Sequence, residues 1–430
     1  MSETTQLKYD IQDKVPFKHL IVYAIQQLLS VITATILIAN ICGTPISSCL
    51  LGACIGTIIY QVITGFKSPM FISSCGATCS AVIGALAIGN GENYLAVALG
   101  GFIILLVYAL FALLVKKFGQ KILTKIFPPI IIGSVTMVIG LNLATFIPTY
   151  VQVNGQTSTI GTLVAIATMF VIAITSHYFK GFLKTIPFLI GIGFGYIVST
   201  ILTLTNVCPL IDFSAFKGVP ILMVPNFTFV KWDFTTINFS TILQVIVLFT
   251  PVAICALLEH YSDHKVLSNI IGTDITQTPG LHRTLLGDGV ASFLGTILCG
   301  LPNTSYGESI ATTGFSKVAS TRVITVAALL LGGMSFIGPV QVFIGSIPSC
   351  VFGGCAMILY GFIAASGLKT LILNKTDFNN QKTLIVVSVI LTVGVSGIFL
   401  FSQSFAGVSL SMVLGVILNL ILRDKKERTT

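Results

Sequence analysis

Runs of about twenty apolar residues, separated by short basic loops, leave this chain one solvent in which to fold: a lipid bilayer. The runs cover approximately 17 to 42, 45 to 64, 70 to 89, 94 to 115, 127 to 148, 158 to 178, 182 to 204, 241 to 263, 284 to 301, 303 to 318, 321 to 343, 349 to 368, 383 to 401 and 406 to 422. A helix crosses the hydrocarbon core with about 20 such residues. Fourteen transmembrane segments are therefore expected, with no long soluble domain left over. Only 9% of the 430 residues are charged, against roughly a quarter in soluble domains. The fold class expected is an all-α polytopic membrane protein.

The basic residues test the count, because cytoplasmic loops collect Lys and Arg. With an even number of spans and both termini cytoplasmic, the inside loops hold Lys8, Lys14 and Lys18, then Lys67, then Lys116, Lys117, Lys121 and Lys125, then Lys180 and Lys184. They continue with Lys265 and Arg283, Lys317 and Arg322, Lys369, Lys375 and Lys382, and the tail Arg423 to Arg428. Only Lys217 and Lys231 fall outside, both in the long connection between segments seven and eight. The net charge of +9 thus reports topology and not a nucleic-acid partner. Met1 to Val15 has no apolar core or small-residue cleavage site, so no cleaved signal peptide is expected. The ten cysteines show no CxxC or Cys/His metal spacing and are read as small packing residues.

Segments three and ten differ from the rest. Ser68 to Thr78 and Asn303 to Ser309 are short and polar, with a glycine at the break. Such backbone survives at membrane depth only where it is buried in protein or lines a cavity. The two segments also occupy matching places in two halves of seven spans: Ser74-Cys-Gly-Ala and Ser305-Tyr-Gly-Glu lie 231 residues apart. Gln26-Gln27 matches Glu259-His260 at an offset of 233, and the Phe127-Pro and Ile347-Pro segments match at 220. Seven is odd, so a 7+7 inverted repeat is expected. Paired, Gly-interrupted segments in corresponding halves point to a transporter's midplane binding site.

The chemistry lies in four acidic residues within or beside spans: Glu259, Asp263, Asp288 and Glu308. A charged side chain at bilayer depth costs about 2.5 kcal/mol or more, so it usually faces a cavity or a substrate path. Glu308 is read that way, the alternative being a solvated loop residue. Glu259 and Asp263 stand four apart and share a helix face. Two carboxylates in one low-dielectric site do not both stay ionised cheaply, which suits a proton-coupled carrier. Asp263 has a second reading as a helix-end residue paired at the surface with His264 or Lys265. Asp288, between two glycines, reads as a helix cap, and His260 as a packing residue. Helices starting at Gly76 and Gly307 would point N–H groups at the midplane, offering donors to a small planar ligand whose own N–H groups Glu259 or Glu308 accepts. No HExxH, GxSxG or paired Asp motif supports an enzyme.

The runs Glu259-His260-x-x-Asp263-His264, Pro279-Gly-Leu-His-Arg283 and Asn303-Thr-Ser-Tyr-Gly-Glu-Ser-Ile310 closely resemble the nucleobase:cation symporter-2 (nucleobase–ascorbate transporter) family, and within it the bacterial uracil permeases. Gln26-Gln27, Ser73-Ser74, Phe127-Pro128-Pro129, Gly353-Gly354 and Tyr360-Gly361 extend the resemblance over nearly the whole chain. It implies a core domain at 16–118 and 241–343 and a gate domain at 119–240 and 344–423. Uracil would be imported by proton symport, with sodium the alternative coupling ion, in an elevator-like movement. The protein would sit in the bacterial plasma membrane, often as a homodimer, and carry no cofactor. The resemblance puts Glu259 on the ring, Glu308 and Tyr306 beside it, and backbone donors at Gly307 and Gly76. Cys75 falls where relatives place an aromatic or small side chain beside the base. Proton coupling falls to Asp263, Glu259 and Glu308. The rival substrates are xanthine or another purine, and, on a related architecture, anions. An anion carrier would want a cation where Glu308 stands.

Overall fold

The computed structural model describes residues 7–88, 92–120, 123, 128–153, 156–396, 398 and 407–422. Lys121, Lys125, Phe127 and the basic tail from Arg423 to Arg428 lie outside the described residues. The apolar segments form helices α1 (Phe17–Ile41), α2 (Ile46–Ile63), α3 (Cys79–Leu86), α4 (Tyr94–Phe118), α5 (Pro129–Ala144), α6 (Thr159–Tyr178) and α7 (Pro187–Leu204). After a long connection follow α8 (Phe239–Ile271), α9 (Leu281–Cys299), α10 (Gly307–Ser316), α11 (Thr321–Met334), α12 (Ser349–Leu373), α13 (Gln381–Val395) and α14 (Val408–Ile421). Among the described residues, eight helices are long and apolar enough to cross a membrane. The all-α, polytopic class read from the sequence is the one the molecule has.

These segments are helical even where they are rich in Ile, Val and Thr, because in lipid each backbone group must be satisfied within its own segment. Their ends are marked locally. Asn93, Ser158 and Asn238 accept hydrogen bonds from the N–H groups of Ala96, Gly161 and Thr241 as N-caps. Gly272 and Gly300 end α8 and α9 in the left-handed region.

The helices pack in two groups. In one, α9 lies against α2 and α4, α8 against α4, and α11 against α1 and α2. In the other, α12 lies against α5 and α6, α6 against α7, and α13 against α5 and α14. The α5–α12 contact is a backbone-to-backbone approach: a Cβ on Gly140 would fall 2.6 Å from the Tyr360 carbonyl oxygen, and one on Gly367 2.4 Å from that of Gly133. Small residues permit this closeness, which replaces the hydrophobic drive missing in lipid.

Segments three and ten are broken as expected. Strands β1 (Ile72–Ser74) and β2 (Asn303–Ser305) pair antiparallel in the register Ile72↔Ser305, Ser73↔Thr304, Ser74↔Asn303. Each runs into a helix start, through a short 3-10 turn at Gly76–Thr78 on one side and directly into α10 on the other. The pairing is extended by the N–H of Cys75 donating to Pro302 O (2.8 Å) and that of Tyr306 to Phe71 O (3.2 Å).

Two expectations are corrected. α8 continues to Ile271, two turns beyond Asp263, so Asp263 is not a helix-end residue. Asp288 lies inside α9, fully buried, and caps nothing. The polar N-terminal stretch also docks: Lys8 N–H donates to Lys317 O, and the N–H groups of Ala319 and Thr321 donate to Tyr9 O and Ile11 O. Leu7 and Ile11 pack against the buried cluster that includes Leu267, Ile271 and Ile310.

Candidate functional site

The antiparallel strand pair leads into helix starts at Gly76 and Gly307, one at each end of the pair and both on the lining of one cavity, and α8 packs beside them. Between the two helix groups lies a cavity of about 460 Å³. One side carries the polar groups Ser74, Glu259, Ser262, Asp263, Thr304, Ser305, Tyr306 and Glu308 with Gly76 and Gly307, set among Ala34, Ile38, Ala77, Cys255 and Leu258. The other is mostly apolar: Pro129, Ile132, Thr136 and Ile139 of α5, and Leu359, Ile363, Ser366, Thr370, Leu373 and Asn374 of α12. Glu259 and Gly307 are open to the cavity, and Asp263 and Glu308 are half-buried. Three carboxylates thus face one cavity from α8 and α10.

The first N–H groups of a helix lack intrahelical acceptors, so the start of α10 offers donors beside Glu308, itself placed in the first turn where the helix dipole favours negative charge. A Cβ on Gly307 would meet nothing within 4 Å. That glycine leaves room that packing does not require. Asp263 accepts a hydrogen bond from Ser305 Oγ at 2.7 Å, tying α8 to β2. Lys265 lines one end of the cavity with its ammonium on Thr276 Oγ1 (2.9 Å) and Asp274 Oδ2 (3.4 Å).

The broken segments have their polar backbone satisfied from behind. Thr57 brackets Ile72, accepting from its N–H (3.0 Å) and donating to its carbonyl (2.8 Å). Asn303 Nδ2 donates to Gly52 O (3.0 Å) and Ala291 O (3.1 Å), and Ser292 Oγ donates to Asn303 O. Gln27 Nε2 donates to Thr313 Oγ1 (3.0 Å), holding α1 to α10.

Two sequence-named residues are placed differently from the rest. The Cys75 side chain is 1% exposed, packed with Ala77 and Ala256 off the cavity. Tyr306 borders the cavity but is 5% exposed, with its N–H already used on Phe71.

The sequence missed a buried layer behind β2. His260 Nδ1 lies 2.6 Å from Asp288 Oδ2, and Thr304 Oγ1 donates to the same oxygen at 3.3 Å. His264 Nε2 meets Tyr60 OH at 2.6 Å, and that hydroxyl meets Ser68 Oγ at 2.8 Å. The signal was the pair of glycines around Asp288: Cβ atoms there would lie 3.0 Å from Tyr60 Cδ2 and 2.8 Å from Tyr108 Cβ. They let α9 come close enough to α2 and α4 to seal the carboxylate in. Among the described residues no three His, Cys, Asp or Glu side chains converge as a metal ion would require. A larger cavity of about 680 Å³, lined by Glu92, Lys231 and Asp233, lies away from the intramembrane carboxylates and holds an exposed Lys231–Glu92 pair at 3.2 Å.

Known proteins match this chain along its length. The uracil permease of Bacillus caldolyticus is 35% identical over 423 residues, covering 97% of this chain and 95% of that one. The uracil permease of Bacillus subtilis (strain 168) is 36% identical over 415 residues, covering 94% and 93%. That of Escherichia coli (strain K12) is 33% identical, covering 97% and 95%. Among solved structures, the transmembrane domain of the cyanobacterium bicarbonate transporter BicA matches with TM-score 0.62 at 14% identity, covering 96% of this chain and all of that one. SLC26A9 matches with TM-score 0.66 at 12% identity, covering 95% and 66%. At such identities the likeness is one of fold. A family model described as "Permease family" matches residues 18–403, and with it the chain belongs to the nucleobase:cation symporter-2 permeases, multi-pass membrane proteins.

Proposed function

We propose that the protein imports uracil across the bacterial cell membrane by proton symport. One observation carries the reading: Glu259, Glu308 and the open backbone at Gly307 line the same cavity, which two helix starts, at Gly76 and Gly307, also border. Uracil presents alternating C=O and N–H groups around a flat ring. Helix-start N–H groups suit its carbonyls, and a carboxylate suits its N–H groups. The similarity to uracil permeases supports uracil as the base. Glu259 is the main ring ligand and Glu308 the second carboxylate. Asp263, held by Ser305, is the coupling group, since a proton there offsets a charge that the neutral substrate does not. Cys75 acts through its backbone position beside Gly76 and not through its thiol.

In this reading α1–α4 and α8–α11 are the moving core and α5–α7 with α12–α14 the gate, related as inverted repeats. The packing of the helices into these two groups, with the cavity between them, supports the division. Basic loops on the cytoplasmic face put both termini inside. The cavity end at Lys265 and Asn374 then opens inward.

Uptake of labelled uracil into proteoliposomes, with and without an inward proton gradient, tests the assignment. Gradient-dependent uptake that excess xanthine or sulfate leaves untouched is expected. Gradient-independent uptake would remove the proton, and inhibition by xanthine would change the base.

A further inference from the structure

We infer that residues 7–13 form a strap that fixes the far end of α10 and so positions Glu308, with Ile11 its main positioning residue; the use of uracil uptake as a readout rests on the reading above. α10 has ten residues and rises about 15 Å, half the thickness of a bilayer's hydrocarbon core. A full span is set in place by the two membrane interfaces. A half span that begins at the cavity needs its other end held by protein.

That end is held by backbone bonds to the strap. Lys8 N–H donates to Lys317 O (2.8 Å), and the N–H groups of Ala319 and Thr321 donate to Tyr9 O (2.9 Å) and Ile11 O (3.0 Å). The Ser320 and Thr321 hydroxyls donate to Asp13 O and Ile11 O, each at 3.1 Å. Among the described residues, every hydrogen bond of residues 317–321 that leaves α10, α11 and the turn itself goes to this segment. Lys317 has left-handed backbone (φ 58°), which a non-glycine residue adopts at a cost, and the Lys8 bond falls on its carbonyl.

The side chains alternate as in an extended segment laid on a surface. Leu7, Tyr9 and Ile11 are half-buried, whereas Lys8, Asp10 and Gln12 are exposed. Leu7 and Ile11 pack against the cluster that contains Ile310 of α10, Leu267 and Ile271 of α8 and Ile72 of β1. Tyr9 packs against Val15, Val318 and Val323, with its hydroxyl 3.0 Å from His19 Nδ1. Ile310 lies within one turn of Glu308, and Leu267 stands four residues past Asp263 on the same face of α8. The strap therefore underpins both helices that bring carboxylates to the cavity, although none of its residues lines that cavity. Lifting it leaves the lining unchanged and loosens the helix start that meets the solute.

The test uses the full chain in proteoliposomes. Ile11→Asp sets a charge against the apolar cluster. Lys8→Pro removes the N–H that bonds Lys317, and Lys8→Ala keeps it. Ile11→Asp and Lys8→Pro should each raise the uracil concentration for half-maximal uptake about tenfold, within the range over which residues that touch no ligand alter binding. The maximal rate per inserted transporter should stay within about twofold, the signature of weakened binding. Ile11→Val and Lys8→Ala should remain within about twofold of wild type in both quantities. Unchanged half-saturation in the two strap variants, or a fall in maximal rate alone, would overturn the strap. If Ile11→Asp fails to insert, Lys8→Pro against Lys8→Ala decides, and equal half-saturation in that pair overturns it. Hydrogen exchange in detergent reads the same point without transport: amides of residues 307–316 should exchange faster in Lys8→Pro than in Lys8→Ala, and equal rates would also overturn the strap. Wild-type vesicles that take up no uracil would instead overturn the nucleobase reading alone.

Discussion

Glu259 is open to the cavity from the middle of a 33-residue apolar helix. Among the described residues no ion pair with its carboxylate is found, and Lys265, on the same helix, bonds Asp274 and Thr276. Glu259→Gln keeps the shape and removes the acceptor, so uracil uptake should be abolished while the amount of inserted protein is unchanged; a variant transporting like wild type would end its role as ring ligand. The buried His260–Asp288 contact calls for a different experiment. Leaving one partner of a buried polar pair unsatisfied costs about 1–3 kcal/mol, whereas replacing both by apolar groups is nearly neutral. Thermal unfolding in detergent should show His260→Leu and Asp288→Leu each less stable than the double variant. The cavity carboxylates were legible because a charge in an apolar run has few bland explanations. The Asp288 contact was not, because it joins residues on two different helices and the flanking glycines resembled a cap site.

At the scale of elements, β1 and β2 are only three residues each and stay extended because other helices supply their partners. Thr57→Val leaves the Ile72 N–H without its acceptor and should cost about 1–3 kcal/mol of stability. Thr325→Val should fall within about 0.5 kcal/mol of wild type, since that hydroxyl bonds only the Thr321 carbonyl of its own helix. Equal losses would mean that the bracket contributes nothing particular. The broken segments could be read from Ser68 to Thr78 and Asn303 to Ser309, where polar residues and a glycine interrupt membrane-grade sequence. Their mutual pairing could not, since three residues carry no alternation long enough to set a register. The docked stretch from Lys8 to Asp13 was read only as cytoplasmic charge, because on its own side the hydrogen bonds to the Lys317–Thr321 turn use backbone groups that every sequence possesses, met by backbone N–H groups and by the Ser320 and Thr321 hydroxyls.

For the whole molecule, the direction in which the cavity opens can be measured with a single new thiol. All ten native cysteines are buried, so background labelling should be low. Ser366 is exposed and lines the cavity. Ser366→Cys should react with a membrane-impermeant maleimide in inside-out vesicles and not on intact cells, and uracil should slow the reaction. Labelling from outside would reverse the proposed opening. The helical, polytopic class followed from segment lengths alone, which lipid enforces on any sequence. The division into two packed groups with a cavity between them did not. It depends on contacts such as Gly140 with the Tyr360–Ala364 backbone, between residues more than two hundred positions apart.

The pairing of Ile72–Ser74 with Asn303–Ser305 has a consequence for how such a chain can vary. Along a strand each residue advances the chain by about 3.3 Å and turns its side chain to the opposite face. Removing or adding one residue in either strand would exchange inward and outward positions throughout it and displace the helix start that follows by the same step. Gly76 and Gly307 would then face the wrong partners however well their neighbours were preserved. The centre of this protein is thus held by residue count more strictly than by residue identity: substitutions there tune the site, whereas a one-residue insertion or deletion dismantles it.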